Sequence, residues 1–151
     1  MKIRTSAALA ATVLVAATGC SSQTADARET SLFGAWTMTS LEASTNGQFQ
    51  QVPYSGQIIF TEPGRMSTRA KNLVPNAPDT DYTVGGYESY YGAVSVDEAA
   101  NSFTVRSESS SSNVLVGREA VRNYRITDDV LVITPKDESE GWRVTHRRVP
   151  K

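Results

Sequence analysis

Between residues 32 and 149, apolar side chains alternate with polar ones and almost nowhere recur at helical spacing. Residues 32–41 read Leu-Phe-Gly-Ala-Trp-Thr-Met-Thr-Ser-Leu, a strand pattern rich in aromatic and β-branched residues that puts Trp36 and Met38 on one face. Residues 55–61 form a second strand carrying Phe60. The Glu62-Pro63-Gly64-Arg65 that follows has proline and glycine at the two central positions of a type II turn, so 66–70 returns as the partner of a hairpin. A further hairpin joins 91–96 to 102–108 through Asp97-Glu98-Ala99-Ala100-Asn101, where Asn101 tolerates the left-handed conformation such loops need. Residues 119–127 alternate Val121-Asn123-Arg125 against Arg122-Tyr124-Ile126. Asp128-Asp129 then turns the chain into 130–133, and after an acidic turn at 137–141 the last strand runs over 142–149.

Three stretches interrupt this pattern. Residues 72–86 contain Pro75, Pro78, Gly85 and Gly86 and read as the longest loop, a place where function often resides. Tyr87-Glu88-Ser89-Tyr90-Tyr91 reads as one helical turn, and the serine tract 109–112 as a polar loop. About eight antiparallel strands joined mostly by short loops imply an all-β fold. They close most simply into an up-and-down barrel, which leaves no exposed edge, with a two-sheet sandwich as the alternative.

The N-terminus follows another logic. Lys2 and Arg4 precede an apolar run from Ala7 to Ala17, the layout of a secretory signal, and the run is too short to span a bilayer as a helix. Ala17-Thr18-Gly19-Cys20 resembles the lipobox of bacterial lipoproteins, with Ala17 where that motif prefers leucine. The resemblance implies cleavage after residue 19 and a lipid on Cys20, which would anchor the protein to a membrane of the cell envelope. Ser21 rather than aspartate after the cysteine implies the outer membrane, facing the periplasm, if the cell is Gram-negative. Residues 20–31 are polar and aperiodic, as a flexible tether would be.

Composition narrows the function classes. Losing residues 1–19 lowers the basic count from 15 to 13 against 16 acidic residues, a net charge of −3 without the dense basic stripe that nucleic acid requires. Cys20 is the only cysteine and His146 the only histidine, so neither an intramolecular disulfide nor a histidine–thiolate metal set is available. No nucleotide, haem or flavin motif is present, and Gly85-Gly86 lacks the strand and helix a phosphate loop needs. No cofactor is expected, and the oligomeric state is left open.

Taken in order, Gly34-Ala35-Trp36, Gly64-Arg65-Met66-Ser67, Tyr91-Gly92 with Val96-Asp97-Glu98, Gly117-Arg118-Glu119 with Val121-Arg122, and Arg143-Val144-Thr145-His146 resemble the recurring blocks of the bacterial lipocalin-like domain family. The resemblance spans residues 32–149, within a domain taken as 32–151, and implies a calycin-type barrel. It also implies that Trp36 plugs the closed end under an arginine of the last strand, for which Arg148 is chosen over Arg143 and Arg147. The serine-rich 109–113 segment departs from the family pattern.

Candidate ligand contacts follow from the expected faces. Met38, Phe60, Tyr91 and His146 are placed on the wall of an interior cavity. Arg122 and Tyr124 are added because alternation lets them share a face, although an outward Arg122 is the commoner arrangement. Tyr87, Tyr90 and Tyr91 suit a cavity mouth. The expected function is non-enzymatic binding of a small, mainly apolar molecule. The alternatives are a cyclase or isomerase that moves a proton with His146, Glu119 or a tyrosine, and an interaction module that uses the 72–86 loop.

Overall fold

A computed structural model of the chain describes residues 31–150; the expected signal peptide, the lipidation site Cys20 and all of the tether but Ser31 lie outside the described residues. Among the described residues nine strands follow one another: β1 (Gly34–Thr45), β2 (Gln48–Val52), β3 (Tyr54–Thr61), β4 (Arg65–Asn72), β5 (Tyr87–Asp97), β6 (Ser102–Ser110), β7 (Glu119–Thr127), β8 (Val130–Pro135) and β9 (Trp142–Arg148). All pairings are antiparallel: β1 pairs with both β2 and β3, each strand from β3 to β8 pairs with the next, and β9 returns to β1 along Trp36↔Arg148 through Ala43↔Trp142. That last ladder closes the sheet into a barrel and excludes the sandwich. β2 and β3 lie along the same edge of β1, on its second and first halves, so together they make one stave broken at Pro53. The barrel therefore has eight staves.

Several local readings need correction. β2 is a strand the apolar pattern did not reveal, because four of its five residues are exposed. Residues 87–91 are not a helical turn: they open β5, paired from Lys71↔Tyr87 to Ser67↔Tyr91, and tyrosine suits a pleated ladder better than an isolated turn. Ser109 and Ser110 extend β6 instead of belonging to a loop. The turn after β3 is closed one residue earlier than expected, with the Gly64 amide donating to the Thr61 carbonyl (3.0 Å) across a cis Glu62–Pro63 bond, so it is not a type II turn.

Because the strands run up and down, their connections alternate between the two ends of the barrel. One end carries the turns 62–64, 98–101 and 128–129 together with the chain entry at Ser31. Backbone hydrogen bonds from the Arg148 amide to the Asp129 carbonyl (2.8 Å) and from the Val149 amide to the Ala35 carbonyl (2.9 Å) tie it together. Above it lies the core, where Trp36, Ile58, Phe60, Met66, Val94, Phe103, Val105, Tyr124, Leu131 and Ile133 fill the interior. Phe60 and Phe103 meet edge to face at 5.3 Å. The opposite end carries the long connections 73–86, 111–118 and 136–141, and there the interior opens.

Candidate functional site

At the closed end, Trp36 is fully buried and its indole N–H donates to the Leu32 carbonyl at 2.9 Å. Arg148 lies over the Trp36 ring at 4.0 Å and donates to the Phe33 carbonyl (3.2 Å) and the Ser31 carbonyl (2.9 Å), with Asp129 3.6 Å away. These contacts seal the floor.

The open end holds two adjoining cavities. The larger, about 380 Å³, lies where the end of β6 parts from β7, and its wall includes Val105, Ser107, Leu115, Ala120 and Arg122. The smaller, about 210 Å³, is enclosed by Leu41, Tyr54, Glu88, Tyr90, Trp142 and Val144, with Thr80, Tyr82 and Thr83 above it. Tyr82, Tyr90 and Arg122 belong to both walls and form the partition between them.

Arg122 organises this end. It points inward from β7 and is only 8% exposed. Its Nη1 donates to Glu140 Oε1 (3.1 Å) and the Val121 carbonyl (3.3 Å), its Nη2 donates to the Tyr82 hydroxyl (3.3 Å), and its guanidinium lies 5.0 Å from the centre of the Trp142 ring. The indole N–H of Trp142 donates to Glu140 Oε2 at 3.1 Å, and the Tyr82 hydroxyl reaches the same oxygen at 3.5 Å. An inward arginine is tolerable here because a carboxylate, a phenol and an aromatic face all reach it.

Tyr82 gets there because its loop is internally braced. The Thr80 hydroxyl accepts from the amides of Tyr82 (3.1 Å) and Thr83 (3.0 Å), Asp79 accepts from the Gly85 amide (2.7 Å), and Thr83 is buried. The loop is a built cover over the smaller cavity.

Two polar groups in the walls lack partners. Glu88 points inward from β5 and has neither a hydrogen bond nor an ion pair to any of the described residues; desolvation pushes its carboxyl up to about 7, with Arg122 pulling more weakly the other way. Ser107 Oγ, on the wall of the larger cavity, is buried without a hydrogen-bond partner among the described residues. Burial also raises the Tyr54 and Tyr90 phenols, so both are neutral donors at physiological pH.

Comparison with known proteins adds little. No family model and no curated protein matches the chain. Among solved structures it is similar to an uncharacterized protein from Bacteroides eggerthii, at 15% identity and a TM-score of 0.49, over 79% of this chain and 100% of that one.

Of the six residues expected to contact a ligand, Arg122 is on the walls described above, and of the three tyrosines expected at a cavity mouth, Tyr90 is. Tyr91 points outward, 49% exposed, with Arg65 over its ring at 6.0 Å: strand alternation sends Tyr90 inward and both its tyrosine neighbours, Tyr87 and Tyr91, outward. Phe60 and Tyr124 belong to the core, Tyr124 also edging a cleft at the closed end beside Phe33, Glu62 and Asn101, and Met38 is half-buried opposite His146. His146 is buried, its Nδ1 has no hydrogen-bond partner among the described residues, and desolvation lowers it to about 4; it is neutral and lines neither cavity, although Val144, two residues before it on β9, lines the smaller one. Glu119 sits exposed at the rim of the larger cavity. Sequence reasoning missed Glu88, Tyr54, Tyr82 and Trp142 as site residues. The available signal was a carboxylate two residues from Tyr90 in a stretch that alternates, once that stretch is read as a strand.

Proposed function

We propose that this protein is a lipid-anchored component of the bacterial cell envelope that binds a small, mainly apolar molecule in the open end of a lipocalin-like barrel, without turning it over. The observation that carries the reading is the pairing of a filled lower barrel with a lidded upper cavity. There aromatic and aliphatic walls surround a few inward polar groups, the composition expected of a small-molecule site. The lipobox resemblance at Cys20 supports the anchor. Since the chain enters at the sealed end, an anchor preceding Ser31 leaves the mouth at the far end of the barrel.

The test is organic-solvent extraction of the protein purified from the membrane fraction, followed by mass spectrometry. A stoichiometric small molecule that is absent from Arg122→Met protein of unchanged near-ultraviolet circular dichroism supports the reading. An extract without any such molecule, together with failure to bind any member of a library of small apolar compounds, overturns it. The anchor is tested separately by labelled palmitate, whose incorporation is expected in the wild type and lost in Cys20→Ala.

An interaction module is the second reading. It is favoured by Leu73, Val74 and Val84, exposed apolar side chains on the connection that roofs the cavity.

A further inference from the structure

We propose that the smaller cavity is a site for a small organic amine, its ammonium paired with the Glu88 carboxylate and its apolar body held among Tyr54, Tyr90 and Trp142. This rests on the reading that the barrel mouth binds a small molecule, and names the chemical class.

The groups that face Glu88 come from every element around the cavity: Tyr54 from β3, Tyr90 from β5 itself, Arg122 from β7, Trp142 from β9, and Thr80, Tyr82 and Thr83 from the covering loop. Only one of them is a cation, and it is engaged elsewhere. Arg122 gives its two terminal nitrogens to Glu140, Tyr82 and the Val121 carbonyl and its face to Trp142, and no oxygen of Glu88 lies within ion-pair distance of it. Arg122 and Glu140 cancel in charge, so the ionised cavity keeps one surplus negative charge, on a carboxylate with no donor among the described residues.

A half-buried carboxylate on a cavity wall without donors is costly, and a protonated amine supplies both the missing charge and the N–H groups. The rings around it suit the same guest, because aromatic faces attract ammonium groups. An anionic guest would confront Glu88 and would have to displace Glu140 from Arg122. Size sets the scale of the body. A cavity of about 150 Å³ accepts benzene, so about 210 Å³ suits one ring with a short arm.

The experiment is isothermal titration calorimetry at pH 8 on the full chain as the cell processes it, with phenethylamine, 2-phenylethanol and phenylacetate as probes of equal shape and different charge. Phenethylamine is expected to bind at least about tenfold more tightly than the alcohol, and phenylacetate not at all. Glu88→Gln with unchanged near-ultraviolet circular dichroism should erase that preference. Glu88→Asp, which keeps the charge but withdraws it by one methylene, should weaken the amine and leave the alcohol alone, and it serves should the glutamine variant fail to fold.

Equal binding of amine and alcohol, tighter binding of phenylacetate, or amine binding indifferent to both substitutions would overturn the amine assignment while the small-molecule reading stands. No binding of any of the three, nor of neutral apolar compounds, would overturn both.

Discussion

The guanidinium of Arg148 lies 4.0 Å from the centre of the Trp36 ring, and that contact joins the two ends of the folded chain. Trp36 enters near the start of β1 and Arg148 ends β9, and the two residues are register partners in the ladder that closes the barrel. Arg148 also holds the Ser31 and Phe33 carbonyls, so one side chain covers the tryptophan and satisfies backbone groups that precede β1. Closure and floor therefore depend on the same residue.

Arg148→Ala is accordingly expected to destabilise the barrel by about 2–4 kcal/mol, through lost stacking and stranded carbonyls. Arg148→Lys should recover little of this, because a lysine offers neither the planar face nor the fork that reaches both carbonyls. Urea unfolding followed by tryptophan fluorescence measures both. Wild-type midpoints in the two variants would show that the floor is held by the strand ladder alone.

At the open end, Glu140 is the one carboxylate among the described residues within ion-pair distance of the inward Arg122. Glu140→Ala is expected to cost about 1–3 kcal/mol by leaving a buried guanidinium underpaired. Arg122→Met in the Glu140→Ala background should recover much of that loss, since no charge then needs a partner. A double-mutant cycle measures the coupling, and additive losses would mean that Tyr82 and Trp142 suffice to hold Arg122.

Gly92 sits at a bulge between β5 and β6. The register slips between Tyr91↔Ser109 and Gly92↔Ser107, and a Cβ at Gly92 would collide with the carbonyl of Arg106 across the ladder. The obstacle is backbone, so it cannot rotate away. Gly92→Ala is expected to cost at least about 3 kcal/mol, read as a lowered urea midpoint. A midpoint within experimental error of wild type would show that the bulge can relax.

The legibility of the chain divides along the same physical lines. β7 and the turns at Asn101 and Asp128 were readable, because alternation and turn chemistry are local, and both residues do adopt positive φ (49° and 53°). β2 was not, since an exposed strand has no buried face to mark it. Its one signal was Asn46-Gly47, whose positive φ values (54° and 77°) make the tight hairpin. The inward side of Glu88 follows from the register Ala70↔Glu88, and the tolerance for a buried Arg122 comes from residues at 82, 140 and 142. Neither fact is written near the residue it concerns.

A buried histidine and a half-buried carboxyl with opposite responses to pH give the last prediction. Burial raises Glu88 to about 7 from 4.5, so the native state holds a proton that the unfolded chain has released, and stability falls as pH rises through that window. Burial lowers His146 to about 4 from 6.5, so the unfolded chain binds a proton that the native state refuses, and stability rises with pH from 4 to 6.5. From pH 4.5 to 6.5 the two slopes have opposite sign and similar size, and the wild type hides both. Glu88→Gln exposes the histidine slope and should lose about 2–3 kcal/mol on acidification across that interval relative to wild type. His146→Leu exposes the carboxyl slope and should gain about as much. Urea titrations at the two ends of the interval measure the pair. Three parallel profiles would mean that neither group titrates far from its ordinary range, and opposite divergence of the two variants would establish that Glu88 is desolvated, the condition on which its capture of an ammonium depends.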